Sequence, residues 1–208
     1  INGGAGDDWI LADGGRIDHA PDGTRTRIET DNTPAANDTD VHGGNGNDVL
    51  FGGNGSDTLY GDAGDDLLFG DSGHWQLADQ PQERAEASAE LGTADGHDTL
   101  YGGTGNDLLF GGNAPASASA SAARDLLDGG SGKDLLFGDL GRAEFADATS
   151  NTLGTLTFAA TTSPETGSSD ILRGGDDDDI LLGGARSDTE INGGNGDDIL
   201  FGDHAELT

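Results

Sequence analysis

Residues 43–69 read GGNGNDVLF, GGNGSDTLY and GDAGDDLLF, three nine-residue units in direct succession. Each unit begins with a glycine-rich stretch and has aspartate at its sixth position. Its last three residues, at positions 7 to 9, have an apolar residue at the centre, position 8. Self-similarity at a short fixed period is typical of proteins in which each unit stacks on its neighbour. The pattern therefore predicts an array of stacked units with a thin, repetitive core.

Six further copies of the unit lie outside this stretch, and four more are interrupted. The further copies start at residues 3, 102, 129, 174, 183 and 193, and the copy at 183 is imperfect. The interrupted copies start at residues 12, 70, 111 and 138 and resume after insertions near 16–36, 74–95, 114–123 and 142–168. About 13 units thus form one domain over residues 1–208. The opening INGGAGDD matches INGGNGDD at 191–198, which predicts a segment of a longer array.

The composition is strongly acidic and rich in glycine. Asp and Glu number 40 against 9 Lys and Arg, giving a net charge of −31, and 38 of the 208 residues are glycine. Such a chain is a poor partner for nucleic acid or anionic lipid, because phosphate binding needs Lys and Arg. No apolar run is long enough to cross a membrane. We therefore expect no nucleic-acid partner and no membrane insertion, and the absence of cysteine excludes disulfides and thiolate metal sites.

The turn residues carry the ligands that calcium prefers. Glycines at positions 1, 2 and 4 permit positive φ angles, so that several carbonyl oxygens can point to one side. The aspartate at position 6 adds a short carboxylate at fixed spacing, and Asp outnumbers Glu by 32 to 8. Ca²⁺ takes about six to eight oxygen ligands with tolerant geometry, whereas Mg²⁺ keeps several waters. The turns therefore predict multiple Ca²⁺ sites between stacked units; the other interpretation is a solvated acidic surface without metal.

The unit is similar to the nonapeptide repeat of the RTX (repeats-in-toxin) family, and this resemblance implies that two units complete one coil. Alternate units would then share a side of the stack, so that the position-6 aspartates fall into two rows. The first row comprises Asp8, Asp48, Asp66, Asp107, Asp134, Asp179 and Asp198. The second row comprises Asp38, Asp57, Asp98, Asp125, Asp170 and Asp188. The turn carbonyls expected to complete the sites are those of Gly43, Gly44, Gly46, Gly52, Gly53, Gly55, Gly61, Asp62, Gly64, Gly102, Gly103, Gly105, Gly129, Gly130, Gly132, Gly193, Gly194 and Gly196. The gaps between successive turns allow up to about eleven ions, which would bring the net charge from −31 to about −9 and remove most of the repulsion that opposes folding.

The unit resembles the nonapeptide GGxGxDxUx of the RTX (repeats-in-toxin) family, whose members carry hemolysin-type calcium-binding repeats. The resemblance covers about 13 units. It implies an all-β fold, a right-handed parallel β-roll in which six residues form a calcium-binding turn and three form a short strand. Two units complete one coil, giving two facing parallel sheets. Family membership also implies type I secretion and folding in calcium-rich surroundings, so residues 1–208 are expected to form one RTX β-roll outside the cell.

One sheet of such a roll should expose aromatic rings. The strands that follow the first-row turns are apolar at positions 7 and 9 as well as at position 8. Alternation along a strand sends positions 7 and 9 outward when position 8 points inward. The outward position 9 is phenylalanine at Phe51, Phe69, Phe110, Phe137 and Phe201, a set that we call the Phe ladder. An apolar stripe of this size calls for a cover.

The insertions are the expected cover. All four interrupt second-row units, so they should leave the roll along one edge. The 142–168 insertion is predicted to form a strand or hairpin, and the 74–95 insertion a short helix near Pro81 to Leu91. The alternative cover is a lateral partner or a neighbouring array. The side chains predicted to cover the Phe ladder are Trp75, Phe145, Leu153, Leu156 and Phe158.

Four aspartates, Asp13, Asp71, Asp139 and Asp203, stand at position 2 immediately before an insertion or the C-terminal segment. Two roles are open for them: to add a carboxylate where the broken turn has lost carbonyls, or to adopt a positive φ angle. The run GDSG at 70–73 is similar to a serine-nucleophile motif, but GDAG and GDLG occupy the same repeat position. With no other catalytic motif present, we expect no enzymatic activity.

These observations favour a calcium-binding structural β-roll that folds when it meets calcium, a segment of a large secreted adhesin or surface-layer-type protein. One alternative is the calcium-binding and secretion module of a secreted RTX enzyme or toxin. Another is a carbohydrate- or receptor-binding module formed by the insertions. The expected cofactor is Ca²⁺, and lateral self-association and surface carbohydrate are the other candidate partners.

Overall fold

The structure, a computed structural model, describes residues 1–31, 40–77, 85–89, 96–112, 124–149, 152–162, 167–203 and 205–207. Every regular element within these ranges is a β-strand, and the strands form three seven-stranded sheets. The predicted all-β class is confirmed. Among the described residues no helix is long and apolar enough to span a membrane.

Sheet one is fully parallel, and its strands follow the second-row turns. Consecutive coils pair in register, so that Leu100 lies between Leu59 and Leu127. The strands, in spatial order, are β1 (Asn2–Ala5), β5 (Val41–Asn45), β7 (Thr58–Ala63), β11 (Thr99–Thr104), β13 (Leu126–Ser131), β17 (Ile171–Asp176) and β19 (Glu190–Asn195).

Sheet two is also fully parallel, and its three-residue strands follow the first-row turns. Phe69 lies between Phe51 and Phe110 in register. The strands, in spatial order, are β2 (Trp9–Leu11), β6 (Val49–Phe51), β8 (Leu67–Phe69), β12 (Leu108–Phe110), β14 (Leu135–Phe137), β18 (Ile180–Leu182) and β20 (Ile199–Phe201). One strand of each sheet makes one coil, which confirms the parallel β-roll.

A single file of aliphatic side chains from position 8 fills the space between the two sheets. Val41 occupies this position in the first interrupted unit, which has one residue more than the other units between positions 6 and 8, and Asp40 before it has a φ angle of 57°. Leu200, in the last strand of sheet two, is 43% exposed. The buried members are Ile10, Val41, Leu50, Leu59, Leu68, Leu100, Leu109, Leu127, Leu136, Leu172 and Leu181.

Three of the four insertions form a third, antiparallel sheet, here called the insertion sheet; the 114–123 insertion lies outside the described residues. The insertion sheet consists of three hairpins: β3 (Gly15–His19) with β4 (Arg25–Thr30), β9 (Gly73–Gln76) with β10 (Ala85–Ala89), and β15 (Gly141–Ala146) with β16 (Thr155–Thr161). The short strand β21 (Glu206–Leu207) adds to β16. The hairpin predicted for 142–168 is confirmed. The helix predicted near Pro81 to Leu91 is wrong where it can be compared, because residues 85–89 form a strand between two neighbouring strands.

The insertion sheet covers the Phe ladder. Neighbouring rings stack almost parallel, with centroids 4.3 to 4.7 Å apart from Phe51 to Phe137. Trp75 and Phe145 lie in the same buried cluster, with Leu153 and Leu156 packed against it. Self-coverage is thereby confirmed for these four side chains. Phe158 was predicted to join them but does not, because its ring lies on the other side of the hairpin, beside the Arg142 guanidinium.

Candidate calcium sites

The uninterrupted turns have positive φ at positions 2 and 4. Gly103 and Gly105 have φ angles of 113° and 129°. A Cβ on Gly105 would collide with the carbonyl oxygen of Gly64 one coil away. Asp62 and Asp177 adopt φ of 73° and 78° where glycine stands in other units, which an Asp tolerates better than most residues. Most glycines at these positions thus lie too close to the neighbouring turn to carry a Cβ, and backbone oxygens line the gaps.

The first-row aspartates form a continuous ladder. The backbone N–H of Asp66 donates to Asp107 Oδ1 at 2.8 Å, and the N–H of Asp107 donates to Asp134 Oδ1 at 2.8 Å. The same bond links every neighbouring pair from Asp8 to Asp198. One carboxylate oxygen of each aspartate therefore locks neighbouring coils together, which leaves the other oxygen for a different role.

That other oxygen, Oδ2, is buried without a hydrogen-bond partner along the first row. Asp66, Asp107 and Asp134 are at most 2% exposed, yet their Oδ2 atoms accept no hydrogen bond. A buried carboxylate oxygen without a partner is costly unless a cation binds it. The atoms in this state are the Oδ2 atoms of Asp8, Asp48, Asp66, Asp107, Asp134 and Asp179.

Backbone carbonyls face the same spaces. A Cβ placed on Gly3 would lie 2.6 Å from Asp8 Oδ2 and 2.6 Å from the carbonyl oxygen of Gly43 in the next coil. The same pairing of an aspartate oxygen with the position-1 carbonyl of the next coil recurs at Gly61, Gly102, Gly129 and Gly174. These are hard oxygen donors from two successive coils, the donor type that Ca²⁺ prefers.

The second row repeats the arrangement in the residues that the structure describes. Asp57 N–H donates to Asp98 Oδ1 at 2.8 Å, and the series continues through Asp125 and Asp170 to Asp188. Asp38, assigned to this row from the sequence, lies outside the described residues. The described part of the chain holds no group of three or more His, Cys, Asp or Glu side chains placed for a metal ion.

Comparison with known families decides what such an array is. The family model of the RTX calcium-binding nonapeptide repeat matches residues 1–16, 42–74, 93–114, 117–142, 166–190 and 190–203. The chain belongs to the RTX calcium-binding repeat family. It is a calcium-binding β-roll module. No curated protein and no solved structure matches it.

Burial of the RTX turns perturbs their carboxylates when no metal is bound. Desolvation raises the pKa of Asp66 to about 7 and of Asp107 to about 8, opposed by the backbone N–H bond that each accepts and supported by neighbouring carboxylates. Asp134 is raised to about 7 by the same causes. In the metal-free roll these groups therefore resist ionisation at neutral pH, whereas a bound cation would stabilise the ionised form.

The raised pKa values of these aspartates predict how the stability of the metal-free RTX roll depends on pH. The pKa values of Asp66, Asp107 and Asp134 are higher in the folded chain than the ordinary value of 3.8, so the folded chain binds more protons than the unfolded chain. Stability is then greatest below about pH 4 and is lost as pH rises through 7 to 8. Circular dichroism in calcium-free buffer should show more β structure at pH 4.5 than at pH 8. Equal spectra, with sedimentation showing a monomer at both pH values, would contradict the prediction.

Two of the position-2 aspartates, Asp13 and Asp139, form hydrogen bonds across the interrupted turns. Asp13, Asp71 and Asp139 do not have positive φ angles, so that predicted role is wrong. Asp139 instead accepts the N–H of Ser168, where the chain re-enters the roll, at 2.8 Å, and the N–H of Ala185 in the next coil at 2.6 Å. Asp13 accepts the N–H of Asn54 at 3.1 Å. The carboxylates of Asp13 and Asp139 therefore supply acceptors at turns that an insertion has opened.

A second ladder at position 5 was not predicted from the sequence. Asn47 N–H donates to Asp7 Oδ1 at 2.8 Å, Asp65 N–H to Asn47 Oδ1 at 2.9 Å, and Asn106 N–H to Asp65 Oδ1 at 2.7 Å. These bonds run opposite to those of position 6. Fifth positions of the first row are Asp or Asn in all units except that of Lys133, and this bias was the available signal.

Proposed function

We propose that this chain is a structural β-roll that folds on binding Ca²⁺ outside the cell, as a segment of a large secreted adhesin or surface-layer-type protein. The observation that carries the proposal is the unbroken file of buried, unpartnered Oδ2 atoms from Asp8 to Asp179. In the metal-free chain these oxygens have neither solvent nor a donor. Calcium supplies the missing partner and makes binding energy into folding energy.

The metal sites are proposed to use the position-6 aspartates of both rows with turn carbonyls of positions 1, 2 and 4. Up to about eleven ions would then bind between the turns. Folding requires these ions, because the chain carries a net charge of −31 and the interior of the roll is a single file of aliphatic side chains. Neither self-repulsion nor so thin a core favours folding without metal.

A non-enzymatic, structural role is proposed over a carbohydrate- or receptor-binding module made by the insertions. Trp75 and Phe145 of the insertions are buried against the Phe ladder, whereas Phe158 lies on the other face of the insertion sheet beside the Arg142 guanidinium. On sheet one, the rings of Tyr60 and Tyr101 stack on each other with centroids 5.1 Å apart, so their faces are turned to each other. Because His42 also stacks on Tyr60, both faces of the Tyr60 ring and one face of the Tyr101 ring are occupied.

Adjacent aspartates provide the test of calcium ligation. Asp66→Asn keeps an oxygen that can accept the Asp48 N–H but removes the charge from a buried carboxylate; Asp65→Asn removes one charge at position 5, where Asn47 and Asn106 occur naturally. We expect Asp66→Asn to raise the calcium concentration at the folding midpoint about tenfold, because ligand charge sets calcium affinity. Asp65→Asn should leave the midpoint nearly unchanged. Circular dichroism during calcium titration measures both.

An unchanged calcium midpoint for Asp66→Asn would contradict the proposal. If Asp66 only served as a hydrogen-bond acceptor, replacing a buried charge by a neutral amide would leave the midpoint unchanged or lower it. Equal midpoints for the two variants would therefore reject ligation by the position-6 aspartates, and with it the proposed folding mechanism.

A further inference from the structure

The insertion sheet advances along the roll in step with the coils. Its hairpins begin at Gly15, Gly73 and Gly141, and successive hairpins are separated by two coils. Two coils add two strands to each sheet of the roll, and one hairpin adds two strands to the insertion sheet. Because neighbouring strands are about 4.8 Å apart in any sheet, the three sheets stay in register over any length.

The sequence marks the coils that bear hairpins. The aspartate at position 2 precedes each hairpin, whereas glycine stands there in the coils between them. A fourth aspartate of this kind precedes β21. Along the second row, the position-2 residues are Asp13, Gly53, Asp71, Gly112, Asp139, Gly184 and Asp203.

Strand β21 has the place of the first strand of a hairpin. Leu207 lies opposite Ala159 of the preceding hairpin, just as Ala143 lies opposite Ala87. Leu207 also packs against the cluster that contains the Phe ladder. In the part of the chain that the structure describes, β21 pairs with β16 on one side and with no strand on the other.

The third hairpin shows where a hairpin tip lies. It leaves the roll after β14, and its tip reaches back to Val49 and Leu67 of β6 and β8. The space left between this tip and these two strands is about 10 Å³. On the other side of the same tip, a groove of about 480 Å³ remains over the equivalent strands two coils further on. Its apolar lining includes Leu108, Leu135, Ile180, Phe145, Leu153 and Leu156.

We propose that this groove binds the tip of a fourth β-hairpin whose first strand is β21. The third hairpin leaves the roll after β14, and its tip lies over β8 and β6, two and three strands back in sheet two. A fourth hairpin that leaves after β20 would by the same count place its tip over β14 and β12, which carry Leu135 and Leu108 of the groove. The hairpin strands would cover Ile199, which is 45% exposed. The inference concerns the folded, calcium-loaded roll and goes beyond the proposed function.

Cysteine accessibility tests the proposal, because the chain has no native cysteine. Ile180→Cys places one thiol in the groove and Ile199→Cys places one beside it, and these two are here called the groove thiols. Tyr101→Cys places a thiol on the outer face of sheet one. Each variant is made in the 208-residue chain and in a chain extended after Thr208 by a copy of residues 145–161. A matched extension carries Leu153→Ser and Leu156→Ser within the copy. The measurement is the rate of thiol reaction with a soluble disulfide reagent at saturating calcium, after circular dichroism has confirmed folding.

The apolar extension should slow the reaction of both groove thiols about tenfold, since a close-packed side chain excludes the reagent. The serine extension should not slow it, and Tyr101→Cys should react equally in all three chains. Unchanged rates at both groove thiols would overturn the proposal. Protection in the 208-residue chain that grows with protein concentration would also overturn it, by assigning the groove to a second copy.

Discussion

Gly132→Ala is expected to prevent stable stacking in the middle of the roll. Gly132 has φ of 127°, and a Cβ on it would collide with the carbonyl oxygen of Gly105 in the adjacent turn. The substitution therefore combines a left-handed backbone, which costs an alanine about 1–2 kcal/mol, with a clash between two backbone segments that cannot move without opening the turn. We expect a loss of more than about 4 kcal/mol in unfolding free energy, measured by urea titration at saturating calcium.

Gly6→Ala is the matched control. Gly6 occupies the same position 4 in the first-row turn of the first coil and has φ of 105°, but a Cβ there meets nothing within 4 Å. Its substitution should cost only the backbone term of about 1–2 kcal/mol. Similar losses for the two variants would show that the turns are not packed at this distance and would contradict the described stack.

Phe110→Ala is expected to have the second large effect. The Phe110 ring is fully buried and stacks between Phe69 at 4.7 Å and Phe137 at 4.6 Å. Removing it leaves a cavity between the roll and the insertion sheet, for which we expect a loss of about 3–5 kcal/mol in unfolding free energy. Urea unfolding at saturating calcium measures the loss.

Phe158→Ala removes the same side chain from the other face of the insertion sheet. Because Phe158 is only half-buried and lies outside the ladder cluster, its loss should cost less than about 1 kcal/mol. An equal effect of the two substitutions would mean that the insertion sheet is not docked on the Phe ladder.

The sequence was sufficient to predict the roll because its period is a physical constraint. Positions 2 and 4 of each uninterrupted turn have positive φ, and position 8 points inward, so the same residue types recur at the same positions of the unit. Assigning alternate units to two sides predicts the two rows of aspartates. The same assignment puts all four insertions on one edge, from which they can cover the Phe ladder. Trp75 and Phe145 could be named in advance because a bare aromatic stripe needs apolar partners.

The insertions were harder to predict because their structure is set by neighbours rather than by period. Residues 85–89, in a segment that favours helix by composition, form a strand because β9 and β15 offer open edges on both sides. Phe158 faces away because the pairing of β15 with β16 shifts between Glu144 and Phe145, which changes the face on which the following residues lie. The role of Asp139 also depends on a tertiary contact, since its partner Ala185 belongs to the next coil.

The most direct test of the central claim is far-UV circular dichroism of the chain near pH 7.5 during a calcium titration from chelator, with a magnesium titration beside it. The account predicts a disordered spectrum in chelator and a transition to β structure in calcium, because calcium supplies the partner that the buried Oδ2 atoms lack. Magnesium should not replace calcium, since it holds its waters and demands stricter geometry. A β spectrum that is already complete in chelator, or that magnesium induces equally well, would contradict the account.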